Sequence, residues 1–167
     1  MNIFALHKSP ERAARAHCDK HVNKMILESV QILNGSLYER YLDDLAFYGY
    51  THKNHPCTLW AAESWANFEW LVRLTHHLNR EWQLRYDHDD HHTSYRKLLT
   101  NWYHGDGWVL PAESDERTQF AQAMPDDVKS DDSIQAYREY YREYKSTEDW
   151  FGYDKGRDAP EWLTVVA

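Results

Sequence analysis

His17-Cys18-Asp19-Lys20-His21-Val22-Asn23-Lys24-Met25-Ile26-Leu27-Glu28-Ser29-Val30-Gln31-Ile32-Leu33 is the stretch on which the fold turns. Within it His17, His21, Lys24, Glu28 and Gln31 recur at steps of four, three, four and three, the rhythm that lines side chains along one stripe of a helix. Cys18, Val22, Met25, Ile26, Leu27, Val30 and Leu33 flank the stripe on both sides. The polar groups therefore face a pocket or a core rather than open water. Two imidazoles, an amine, a carboxylate and an amide in such a place point to a reactive site; the plainer alternative is a satisfied polar seam between helices.

Working outward, Ser9-Pro10 supplies a cap and a proline at the first helical position, so the first helix is expected over residues 10–33, ended by Asn34-Gly35. A second helix is expected over 36–47, then a loop through Pro56. The longest helix is expected over 57–86, with Trp60, Ser64, Asn67, Leu71, Leu74 and Leu78 at helical spacing and Arg73, Arg80, Glu81 and Arg85 charging its other faces. A polar linker over 87–92 leads to a helix over 93–102 and a turn at Gly105-Asp106-Gly107. Further helices are expected over 115–123 and 132–145, and the chain beyond Ser146 reads as aromatic but irregular. With a short extended lead-in over 2–6 and no convincing strand pairs, the expected class is all-α, a single compact multi-helix domain spanning residues 1–167.

The composition fits that class. A chain of 167 residues, 42% hydrophobic and 15% aromatic, can bury one real core. Its net charge of -8 repels nucleic acid on average, so any binding to DNA requires cations gathered locally. Only Cys18 and Cys57 occur, which argues for a reducing cytoplasm, that of the host if the chain is viral. No stretch is long and apolar enough for a membrane partner, and Met1-Asn2-Ile3-Phe4 is unlike a signal peptide. The sequence has no serine elbow, phosphate-binding glycine loop or dinucleotide fingerprint, and no cofactor is expected.

His52-Lys53-Asn54-His55-Pro56 presents two imidazoles and an amide just before a helix, where free N–H groups favour a phosphate. His52, Asn54, His55 and Asn67 are therefore the candidate substrate-binding residues, and His17, His21, Lys24 and Glu28 the candidate catalytic ones; the alternative for His52 and His55 is simple helix capping. Three readings stay open. The leading one is a metal-free enzyme acting on DNA or a nucleotide. The second is a hydrolase whose metal is held by His17, His21 and His55. The third is a non-enzymatic viral protein that binds a host factor through its acidic surface. The run Tyr137-Arg138-Glu139-Tyr140-Tyr141-Arg142-Glu143-Tyr144 mixes rings and cations as base-stacking surfaces do, though core packing explains it as well.

Met1-Asn2-Ile3-Phe4-Ala5-Leu6-His7, the first helix and Tyr50 through Pro56 together resemble the pyrimidine-dimer DNA glycosylase family, the endonuclease V of tailed phages and its bacterial relatives. The chain is also similar to a group of small phage-encoded proteins sharing Asp19-Lys20-His21, Lys24-Met25 and the segment from His52 to Pro56. The resemblance implies an all-α fold with the N-terminal segment threaded between helices, and an enzyme that flips a nucleotide and attacks the sugar carbon through an amine. In the family that amine belongs to the processed second residue, here Asn2, although methionine is usually retained before a side chain of this size. The family's first-helix glutamate aligns most simply with Lys24, with Glu28 one turn on as its substitute, and His17 matches the histidine near the reacting amine. Lys24 itself, desolvated by Val22 and Met25, is a second possible nucleophile, with Glu28 or His21 moving protons.

Overall fold

The structure, a computed structural model, describes residues 1–104, 107–108 and 116–163. Among these it is all-helical: α1 (Pro10–Ala16), α2 (Asp19–Glu39), α3 (Pro56–Glu63), α4 (Trp65–Tyr86), α5 (Thr93–Trp102) and α6 (Ser133–Tyr140), with short 3-10 turns at Asp43–Leu45 and Asp126–Val128 and a π turn at Tyr141–Lys145. The only strand residues among them form a two-residue ladder, Tyr103 opposite Trp108 and His104 opposite Gly107. Of the turn expected between these strands, Gly105 and Asp106 lie outside the described residues.

α2 is the centre of the molecule. It packs on α4 and α3, α1 packs on α4, and the buried side chains Cys18, Val22, Met25, Ile26, Val30 and Leu33 follow the apolar rhythm read from the sequence, whereas Leu27, expected with them, is exposed. The first seven residues thread into this core. Ile3 and Leu6 are fully buried, each stabilising the fold by roughly 1.5–3 kcal/mol. The segment is not uniformly extended: Phe4 turns through a positive φ of 37°, which sets its ring against His21 at 4.5 Å and Tyr140 at 5.8 Å.

Several expected boundaries move, each for a tertiary reason. The helix expected over 10–33 is two helices, because His17 and Cys18 are extended (ψ 138° and 160°). The carbonyls freed by this break are taken by distant side chains: those of Arg15 and His17 by Arg85, that of Ala16 by Tyr153. Asn34-Gly35 does not end α2, and residues 36–39 continue it; the Asn34 amide instead holds the backbone of Phe47 and Tyr48. Gly35 lets α3 approach, since a Cβ there would stand 2.9 Å from Thr58 Cγ2. No helix replaces the one expected over 36–47 beyond the 3-10 turn at Asp43–Leu45. The long helix breaks at Ser64, whose hydroxyl caps α4 by accepting from the Asn67 N–H at 3.0 Å.

Asp115 lies outside the described residues, and 116–123 are irregular rather than helical. Thr118 there bonds to Asn67 and Glu63, and Phe120 packs on Trp60 and Trp70. The helix over 93–102 appears as expected, and the one over 132–145 ends in the π turn.

Candidate active site

Glu28 gathers the head of the chain. Its Oε2 accepts the Asn2 backbone N–H at 2.8 Å and lies 3.9 Å from the Met1 amino group, while Oε1 pairs with Lys24 Nζ at 3.1 Å. Asn2 is fixed there by its own side chain, which donates to the Ala123 carbonyl and accepts from the Ile3 N–H. The threaded segment thus delivers a chain-end amine to a nearly buried carboxylate, a placement stabilised by opposite charge at low local dielectric.

His55 joins this group from α3. Its Nδ1 accepts the Cys57 N–H at 3.2 Å, so the neutral ring carries its proton on Nε2. Burial pushes its pKa down and the positive chain terminus lowers it further, against a backbone hydrogen bond with Met1 and the charge of Glu28. Cys57 beside it is inert: burial raises its thiol to about 12. His52, at a positive φ of 55°, and Asn54 are exposed on the loop just before.

The other end of the stripe belongs to a different environment. His17 is fully buried and donates through Nδ1 to the Ala13 carbonyl at 2.7 Å, leaving Nε2 with no partner among the described residues. Burial lowers its pKa to about 4. His21 shares a 2.5 Å hydrogen bond with the Tyr141 hydroxyl and lies against Phe4 and Trp150; burial, then the charge of His17, takes it down to about 2. Both imidazoles are neutral at pH 7, under an aromatic cover from the C-terminal part of the chain. The stripe therefore divides, with Lys24 and Glu28 meeting the His55 end and His17 and His21 lying beneath Phe4.

Three further expectations meet the geometry. Lys24 is 60% exposed in its side chain, so Val22 and Met25 do not desolvate it. Asn67 donates to Trp60 O and Thr118 Oγ1 and accepts from the Thr118 N–H, so its amide is occupied within the fold. Among the described residues no three His, Cys, Asp or Glu groups are gathered as a metal ion requires, and His17, His21 and His55 do not converge.

Sequence reasoning missed the clasp at the start of α2. Arg85, read as charge on an outer face, is buried; its guanidinium donates to Glu81 at 3.0 Å, to Asp19 at 3.1 Å and to the carbonyls of His17 and Arg15. Arg157 grips the same Glu81 with two bonds, and the second oxygen of Asp19 accepts the backbone N–H groups of Asp154 and Lys155. The i, i+4 spacing of Glu81 and Arg85 was the one visible signal, and it says nothing of burial.

The fold is thus an all-helical one whose threaded N-terminus sets the chain-end amine beside a helix-borne carboxylate. The chain is a member of the pyrimidine dimer DNA glycosylase family, whose profile matches residues 1–94. No curated protein and no solved structure gives a match. The matched segment contains Met1, Asn2, Lys24, Glu28 and His55, whereas Tyr141 and Trp150 of the aromatic cover fall beyond it. Membership gives the chain a glycosylase-like role in DNA repair, with DNA as the substrate. No helix among the described residues is long and apolar enough to cross a membrane.

Proposed function

We propose that this chain excises a damaged pyrimidine from duplex DNA with the amine at the head of the chain as nucleophile and Glu28 as its proton-handling partner. The observation that carries the reading is the position of Glu28 Oε2, 2.8 Å from the nitrogen of Asn2 and 3.9 Å from that of Met1. One carboxylate thus serves whichever residue heads the mature chain. The amine's lone pair forms the bond to the sugar C1′ while the bond from C1′ to the base breaks, its electron pair leaving with the base, which takes up a proton. Glu28 accepts the proton that the attacking amine sheds, and ring opening of the sugar leaves an imine. His55 walls the site as a neutral ring, and exposed His52 and Asn54 meet the strand's phosphates.

Borohydride reduction on ultraviolet-irradiated duplex tests this. A covalent adduct mapping to the N-terminal peptide is expected, reduced by about 100- to 1,000-fold in Glu28→Gln. An adduct on Lys24 moves the nucleophile to that side chain, and no adduct on any damaged duplex overturns the reading.

A further inference from the structure

At residues 6–7, the end of the threaded segment away from its amine, a cavity of about 410 Å³ is lined by Leu6, Arg12, Arg138, Asp158, Pro160 and Trp162, with Arg15 and Arg157 beside them. It shares no lining residue with the group around Glu28. Two of its four guanidinium groups are already neutralised, Arg15 by Glu11 and Arg157 by Glu81. Arg12 has no hydrogen-bond or ion-pair partner for its guanidinium among the described residues. Arg138 spends only Nε, on the Leu6 carbonyl at 3.0 Å, and its guanidinium stands 5.2 Å from the Trp162 ring. Against these two unmatched cations the cavity sets one carboxylate, Asp158.

We infer that this cavity is a binding site for a small organic phosphate carrying a flat ring, of the size of a nucleoside monophosphate, with Arg12 and Arg138 on the phosphate and Trp162, Leu6 and Pro160 against the ring. Two guanidinium groups lining one cavity offer N–H donors that match a phosphate's oxygens, which a single lysine-like point charge would not. The volume is that of a small-ligand pocket, and its apolar walls supply contact for a ring that an inorganic ion would leave unused. The same cations act on His7, whose pKa is lowered by burial first and then by Arg12 and Arg138.

Titration of the full chain with thymidine monophosphate, followed by tryptophan fluorescence, is the test. Saturable binding is expected, at least tenfold weaker for thymidine and for inorganic phosphate alone. Arg12→Gln should weaken it about tenfold without moving the melting temperature, because Arg12 is exposed and holds nothing in the fold; Arg138→Gln should do the same with some loss of stability through Leu6. Equal binding of thymidine and its monophosphate, or an Arg12→Gln variant that binds as tightly as the parent, overturns the site. Displacement of the monophosphate by undamaged duplex overturns the small-ligand assignment and gives the cavity to the DNA backbone. Borohydride trapping reads Glu28 and not this cavity, so the two proposals fail separately.

Discussion

Two charged clusters meet α2, one at Asp19 and the other at Glu28 about two and a half turns on, and they are built to opposite ends. At the helix start, Arg85, Asp19, Glu81 and Arg157 match every charge with an opposite one and add backbone carbonyls and N–H groups, so burial there is compensated throughout. Around Glu28, one carboxylate faces the chain-end amine and Lys24 at the rim of the core. The first arrangement locks a helix break in place. The second holds the chain-end amine beside a carboxylate, the arrangement on which the proposed chemistry rests.

The contrast is broken most directly at Arg85. Arg85→Met leaves Asp19 and two helix-end carbonyls short of a donor within the core, and a loss of about 3–5 kcal/mol is expected in denaturant unfolding. A loss under 1 kcal/mol would show that the clasp is replaceable by packing. Glu28→Gln is the mirror experiment: it keeps the shape and the acceptor oxygen, and is expected to change the unfolding free energy by no more than about 1 kcal/mol while abolishing most trapping. Equal damage to stability and activity would erase the distinction between the clusters.

Acid acts on the buried imidazoles of α2 and the turn before it. The folded-state pKa of His17 is depressed to about 4 and that of His21 to about 2, so each contributes stability above the ordinary value of 6.5 that is lost as pH falls toward the folded value. Unfolding followed from pH 7 to 4 should lose stability progressively from about pH 6.5 downward, with His17 alone accounting for roughly 3 kcal/mol by pH 4. His17→Gln should flatten part of that slope; an unchanged slope would remove His17 as its source. The smallest effect is expected at Gly35→Ala, where a gain in helix propensity of about 1 kcal/mol opposes a 2.9 Å clash with the buried, branched Thr58. A net destabilisation of about 1 kcal/mol in thermal melts is expected, and stabilisation would mean that α3 shifts freely.

Much of the helical content was legible, because apolar periodicity records burial directly. α5 read correctly for that reason, as did the apolar face of α2 though neither of its ends, and the cap formed by Ser9 and Pro10 on α1. Gly35 misled because the same residue that ends a helix by accepting a left-handed turn also permits two helices to touch, and only the neighbour Thr58 tells which. The residues 116–123 carry helix-forming composition, yet their polar groups find partners on α3 and α4 and in the segment 130–131. Of the candidate site, Lys24 and Glu28 were legible from helical spacing and His55 from its place before a helix, and they meet around the chain terminus; the partition of the stripe between that group and the aromatic cover was invisible, since Tyr141 lies 120 residues from His21.

Local periodicity of the side chains is enough to give a helical chain with a polar stripe along an otherwise apolar helix, because it is a property of each stretch of backbone alone. Which of those polar groups are balanced and which face an amine is set by packing. Charge compensation depends on partners brought from Met1, Arg85 and Arg157, and distances between residues so far apart in the chain are fixed by packing alone.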